Sequence, residues 1–230
     1  MYSIIVPVYN HLDFTKNCVF SILRNTISEE FEIVVVSNGC TDETNEWVLQ
    51  MQRVDPRIVL LSYREPLGVT QAFNAGLQTS RGDYLVILNN DVEILGTHWL
   101  KILVQPFSRP EVAATGPLKL WSPEANTEFL VFCCVMIPRR VLDVVGYLST
   151  EFGVGYGEDI DWCKRAILEG FKIVLVPEGV KLIVKDGLWV QEGSGFPIYH
   201  RGEGTVHDIK DWNKITAENR EKLKAKYAAK

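Results

Sequence analysis

The sequence predicts an α/β fold built on a mostly parallel sheet. Short runs of Val, Ile and Leu alternate with helical segments through the first half. These runs are continuously apolar, which marks strands buried on both faces. Strand–helix–strand connections make parallel pairs with right-handed crossovers. The second half is less regular and predicts a smaller, looser region.

Taken in order, Tyr2 to Val8 reads as a strand. Residues 12–25 carry Cys18, Val19, Ile22 and Leu23 at helical spacing. Phe31 to Val36 is a second strand, and Trp47, Met51 and Val54 mark one face of a second helix. Arg57 to Ser62 is a third strand, and Val69 to Thr79 a helix facing inward through Phe73 and Leu77. Asp83 to Leu88 is the fourth strand. Beyond it, Val112 to Leu120 and Glu128 to Ile137 read as strands, Pro138 to Val145 and Asp159 to Glu169 as helices, and Phe171 to Val176 as a strand. The glycine-rich stretch Lys185 to Pro197, with Trp189, reads as a mobile loop, and Asp211 to Lys230 as a charged helical tail. The expected division is one domain over residues 1–210, in halves 1–95 and 96–210, with a tail at 211–230.

A chain of 230 residues, 47% hydrophobic, suits one full core or two small ones. Its apolar runs are too short to span a bilayer, which takes about 20 residues. No basic stretch precedes an apolar one at the N-terminus, so a cytoplasmic protein without a signal peptide is expected. A net charge of −5 argues against a general nucleic-acid binder. The five cysteines include no C-x-x-C pair and read as reduced, mostly core residues. The turn after the first strand, Pro7-Val8-Tyr9-Asn10-His11, has no G-x-G-x-x-G, and no Walker lysine motif is present.

Three segments should meet at the carboxyl edge of the sheet, where open α/β sheets bind ligands. They are Pro7 to Asn10, Ser37 to Asp42 and Asn89 to Asp91. Asp91, the charge of its triplet, is either a ligand for a hard cation or the cap of a following helix. Tyr9 offers a face for a flat base, or is a half-buried rim residue. Asn38 offers a donor and an acceptor to a base edge, or is a turn residue beside Gly39. Farther on comes Gly155-Tyr156-Gly157-Glu158-Asp159-Ile160-Asp161. Helical geometry sends Asp161 to the far side, within reach of Arg165 at i+4. Glu158 and Asp159 sit in the first turn, as functional carboxylates or as helix caps. His200 follows the glycine-rich stretch and reads as a metal or phosphate ligand or as a surface residue, with Arg201 a possible phosphate contact.

In this order and spacing the motifs resemble the family 2 glycosyltransferases of the GT-A fold, over roughly residues 2–205. The resemblance runs through Ser3 to Asn10, Asn38 to Asp42, Leu67-Gly68, Asn74-Ala75-Gly76, Arg81 to Tyr84, Leu88 to Asp91, Gly157 to Cys163 and His200 to Gly202. It implies a Rossmann-like, mostly parallel central sheet flanked by helices, with a nucleotide-binding first half and an irregular acceptor-side second half. It implies an inverting transfer from a nucleotide-diphosphate sugar to a hydroxyl of a polysaccharide, lipid-linked glycan or protein glycan. By position, Tyr9 would stack on the base, Asn38 would bond its edge and Asn90 would reach the ribose. Pro7, Asn10, Asp42, Asn74 and Asn89 fall in the donor-binding motifs. Asp91 and His200 would serve a divalent cation, Mn²⁺ or Mg²⁺. Asp159 would be the general base, with Glu158 supporting the acceptor site. Ser37, Asn89 and Asn90 stand where the family often has acids, and an arginine often found near Phe73 is missing. Asp91 would therefore carry the motif's metal affinity alone. Rival readings are a non-catalytic sugar-nucleotide or glycan-binding module and a sugar nucleotidyltransferase. The resemblance also leaves room for peripheral membrane association, and implies no nucleic-acid partner and no particular oligomer.

Overall fold

The computed structural model describes residues 1–177, 181–185, 188–192, 195–202 and 208–228, with backbone alone between 181 and 192. The first half follows the expected alternation closely. Strand β1 (Tyr2–Val8) leads to helix α1 (Leu12–Asn25), then β2 (Phe31–Asn38), α2 (Thr44–Val54), β3 (Ile58–Tyr63), α3 (Val69–Thr79) and β4 (Tyr84–Leu88). β5 (Val92–Ile94) and α4 (Trp99–Val104) follow. The second half holds β6 (Val112–Gly116), β7 (Lys119–Ser122), β8 (Thr127–Leu130), β9 (Cys134–Pro138), α5 (Arg139–Val145), α6 (Glu158–Leu168) and β10 (Lys172–Leu175). It closes with β11 (Lys181–Lys185), β12 (Leu188–Glu192), β13 (Ile198–His200) and α7 (Trp212–Tyr227).

Seven strands form the central sheet in the order β10-β6-β9-β4-β1-β2-β3. Strands β4, β1, β2 and β3 run parallel, as do β10 and β6, and β9 is antiparallel to both its neighbours. Successive side chains of a strand point to opposite faces. Ile5, Val34, Val36, Leu85 and Ile87 enter one core with α3, α5, α6 and α7. Ile4, Val6, Ile33, Val35 and Val86 enter the other with α1 and α4. Two buried faces are why these runs show no polar alternation.

Several expectations need correction. On α2, Thr44 and Val48 are buried and Trp47 and Met51 pack half-buried against the core as expected, but Val54 is 80% exposed, because the helix ends there. The run 112–120 is two strands, broken at Gly116-Pro117. A proline cannot donate to a ladder, and a Cβ on Gly116 would lie 3.0 Å from a Val135 methyl carbon. The run 128–137 is likewise split into β8 and β9. The stretch Lys185 to Pro197 contains β12, paired antiparallel with β11 from Lys181↔Glu192 to Lys185↔Leu188. Asp186-Gly187 between two β-prone runs is a strong sequence signal for a two-residue hairpin. The loop reading overlooked it; residues 186, 187, 193 and 194 themselves lie outside the described residues. The cysteines are free, and all but Cys40 are buried. Among the described residues no helix is long and apolar enough to cross a membrane.

Candidate active site

Parallel pairing brings the carboxyl ends of β1, β2 and β4 to one edge. Val8 pairs with Ser37, and Ile5 with Ile87. Above that edge opens a cleft of about 340 Å³. Its floor and walls include Pro7, Tyr9, Asn38, Asn89, Asn90, Asp91 and His200. Gly68 and Val69 at the start of α3 complete one side, and Asp208 and Ile209 reach across from the segment before α7. His11 Nε2 lies 2.5 Å from Asp208 Oδ2 and ties that segment to the turn after β1. Gly68 has a positive φ of 85°, and a Cβ there would meet the Gly153 carbonyl oxygen at 2.7 Å. This close approach brings the turn before α6 against the start of α3.

A smaller chamber of about 190 Å³ adjoins the cleft. Val69, Asn89, Val154 and Ile209 line both. Phe73, Phe132, Tyr156 and Trp212 give it aromatic walls, and Glu158 and Asp159 give it two carboxylates.

The polar groups of the cleft are held from below. Asn38 Oδ1 accepts the Leu67 N–H at 2.6 Å. Asn90 Nδ2 donates to Thr15 Oγ1 at 3.4 Å. No helix follows Asp91: the chain enters β5, so the helix-cap reading of that residue falls. β5 pairs with β13, Val92 opposite His200, and this register carries His200 to Asp91. His200 Nε2 lies 3.3 Å from Asp91 Oδ1, near enough for an ion pair. It is nevertheless buried without a well-directed hydrogen bond. Burial alone would lower the imidazole pKa; Asp91 and Cys133 outweigh it and raise it to about 10.

The second chamber's acids sit at the start of α6. The helix cap is Gly157 and no side chain caps it, so neither Glu158 nor Asp159 serves as one. Asp159 Oδ1 accepts the Ile160 N–H at 2.8 Å. Glu158 is 9% exposed, and its Oε2 has no partner. Burial first, and the Asp159 charge second, push the Glu158 carboxyl up to about 8. Burial also raises Asp159, to about 6, against the pull of backbone N–H groups at Ile160 and Phe132. Asp159 is the lower of the two because backbone N–H groups stabilise its charge, whereas Glu158 also faces the charge of Asp159. Asp161 takes the structural position expected of it, 2.9 Å from Arg165 Nε. Burial would raise its carboxyl, but Lys226, Tyr227 and Arg165 outweigh that and hold it below the usual range.

Three residues of the donor motifs stand outside both cavities. Asn10 Oδ1 accepts the Thr41 N–H at 2.8 Å, tying two turns together. Asp42 accepts from the backbone N–H groups of Leu12 at 3.1 Å and Thr44 at 3.2 Å. Asn74 is clamped to both backbone groups of Leu148, at 2.8 and 3.0 Å. Their side chains fix the frame and do not face the cleft. Sequence reasoning missed Phe132 and Ile209 altogether. Both look like ordinary core residues along the chain, and only the fold places them at cavities.

The profile of Glycosyl transferase family 2 matches residues 3–144. Among curated relatives, the O-antigen biosynthesis protein RfbC of Myxococcus xanthus is 37% identical over 210 residues, 75% of this chain and 16% of that protein. Protein y4gI of Sinorhizobium fredii is 29% identical over 214 residues, 76% of this chain and 23% of that protein. The chain thus spans about a quarter or less of these relatives' length. Among solved structures, the mannosyltransferase PcManGT from Pyrobaculum calidifontis, in complex with GDP-Man and Mn²⁺, aligns with a TM-score of 0.65 at 21% identity over 77% of this chain and 55% of its own. GalNAc-T7 with UDP, GalNAc and Mn²⁺ aligns with a TM-score of 0.68 at 15% identity, over 77% of this chain and 42% of its own. These likenesses bear out the GT-A layout of the sheet. With the profile covering more than half of it, the chain belongs to glycosyl transferase family 2.

Proposed function

We propose that the cleft binds a nucleotide-diphosphate sugar and that the adjoining chamber holds a hydroxyl acceptor, to which the sugar is transferred with inversion. The observation that carries this reading is the junction of the two cavities through Asn89, Val69, Val154 and Ile209. A donor seated in the first presents its anomeric carbon to a hydroxyl seated in the second. Tyr9 stacks on the base. Asn38 has its oxygen engaged by Leu67, so its amide NH₂ meets a carbonyl of the base edge. Asn90 reaches the ribose.

Asp159 acts as general base. It takes the proton of the acceptor hydroxyl as the oxygen bonds to the anomeric carbon. The bond from that carbon to the diphosphate breaks on the opposite face, its electron pair leaving with the diphosphate. A carboxyl with a pKa raised to about 6 is ionised at neutral pH and more basic than an ordinary aspartate. Glu158, higher still, stays protonated at neutrality and offers the acceptor a hydrogen-bond donor.

The family also implies a divalent cation. The donor set fits one: Asp91 and His200 converge at the cleft wall, and a cation there would take the place of the proton that His200 holds towards Asp91. Among the described residues no group of three or more acidic, His or Cys side chains gathers to hold a metal. Asp91 and His200 would therefore share it with oxygens of the donor. Such an ion supplies Lewis-acid stabilisation of the charge developing on the diphosphate.

The acceptor class follows from the second chamber, whose aromatic walls suit the apolar face of a sugar ring, so a glycan acceptor is the reading supported best. The test is product release from a panel of sugar nucleotides with Mn²⁺. Release of a nucleoside diphosphate is expected. Pyrophosphate instead would make the protein a nucleotidyltransferase, and binding without turnover a binding module.

A further inference from the structure

We infer that Asn219, on the C-terminal helix α7, is a positioning residue for the catalytic carboxylates: its side-chain amide fixes the glycine turn from which Glu158 and Asp159 project. The inference rests on the function proposed above. Asn219 is 1% exposed. Its Nδ2 lies 2.8 Å from the Phe152 carbonyl oxygen, 2.9 Å from that of Gly155 and 3.1 Å from that of Tyr156. Its Oδ1 accepts from Lys222 Nζ at 2.9 Å. That contact settles which end of the amide is which, since an ammonium can only donate.

The turn needs such a partner. Gly153, Gly155, Tyr156 and Gly157 all have positive φ, from 62° to 146°. The Gly157 carbonyl accepts the Asp161 N–H at the start of α6, and the Phe152 carbonyl the Gly155 N–H at 3.3 Å; a buried carbonyl left without a donor costs about 1–3 kcal/mol. Tyr156, which is not a glycine, adds strain of its own. Arg220 Nε, the next residue on α7, donates to the Tyr156 hydroxyl at 2.8 Å. A Cβ on Gly157 would lie 3.2 Å from Leu223, so α7 also packs against the cap of α6. Next to this cap is Glu158, buried with Oε2 unpartnered, a placement its own contacts do not explain. The turn imposes it, and α7 holds the turn. The two N–H bonds of this one amide are shared among three carbonyls whose geometry decides where two carboxylates point. Displacing a reacting group by about 1 Å can cost about 10²-fold in rate.

The experiment compares wild type with Asn219→Ala and Asn219→Asp in nucleoside diphosphate release. Tyr227→Phe, which removes the hydrogen bond from α7 to Asp161 but keeps Asn219 and the carbonyls it holds, serves as the control. Both Asn219 variants are expected to lose about 10–100-fold in kcat while the donor KM stays within about twofold. The acid limb of kcat should also move to lower pH, as a loosened turn lets water reach Asp159. Asn219→Asp, which aims oxygens at carbonyl oxygens, should fall at least as far as Asn219→Ala. Should Asn219→Ala fail to fold, Asn219→Ser, which keeps one donor, is read in the same way. Wild-type kcat in a folded Asn219 variant overturns the inference and leaves the proposed function standing. So does an equal kcat loss in Tyr227→Phe, which would reduce the effect to helix docking. A wild type that releases no nucleoside diphosphate from any donor removes the proposed function, and the inference with it.

Discussion

The donor cleft and the acid chamber are built differently. The cleft sits on the ends of three parallel strands: Pro7 and Asn38 lie in the last residues of β1 and β2, and Asn89 and Asn90 follow β4 directly. Its side chains are set by the ladder beneath them. The chamber's carboxylates sit on a helix that begins at a glycine turn, and that turn is held by a helix some 60 residues farther along the chain. Binding groups stand on rigid backbone, whereas the groups assigned the chemistry depend on a remote brace. A parallel sheet edge is a local consequence of its strands. The placement of Asp159 depends on contacts made across the whole second half.

The largest effect expected on this division is in the chamber. Asp159→Asn should lower turnover by about 10²–10⁴-fold while nucleotide affinity, read by titration calorimetry, stays at the wild-type value. Matched losses in both would merge the two regions into one. Asp91→Ala comes next, with a loss of roughly 10²-fold or more, the equivalent of several kcal/mol of charge stabilisation. Unlike the first variant, it should also abolish the dependence on added Mn²⁺. Tyr9→Ala should weaken nucleotide binding by about 1–3 kcal/mol, the usual worth of a base stacked on an aromatic ring. Its kcat at saturating donor should hold; a drop there would put Tyr9 in the chemistry.

Smaller effects concern pH. Asp159 must be ionised to accept a proton, so kcat should fall as pH drops through about 6. An acid limb near pH 4 would mean that the base is an ordinary exposed carboxylate. Glu158 titrates near 8 in the folded chain, above its unfolded value. Its neutral form suits the fold, so its stability contribution is whole at low pH and is lost as pH rises towards about 8. Glu158→Gln should therefore match wild type in unfolding free energy near pH 4 and gain on it above pH 8, by up to a few kcal/mol. A variant less stable than wild type at pH 9 would show that the buried charge has a partner.

The same contrast explains what the sequence made legible. Tyr2 to Val8 was readable to the residue because a strand buried on both faces leaves an unbroken apolar run. The meeting of the β1, β2 and β4 ends followed from topology alone. Asp161 was placed correctly by helical spacing, which needs no tertiary knowledge. The hairpin of β11 and β12 was missed although Asp186-Gly187 signalled it, because glycine content was read without the β-prone runs beside it. Asn10, Asp42 and Asn74 lie in donor motifs, yet their side chains bond backbone across turns, and no pattern along the chain separates that duty from ligand contact. Asn219 had no signal at all. Its partners are backbone carbonyls more than 60 residues away, which any sequence could supply.

The most direct test of the division is a crystal structure with a nucleoside diphosphate and Mn²⁺ bound. The account predicts the base against Tyr9 and Asn38, the diphosphate and cation beside Asp91 and His200, and the chamber of Glu158 and Asp159 left open for an acceptor. A cation seated on Glu158 and Asp159, or a base lodged in that chamber, would contradict it.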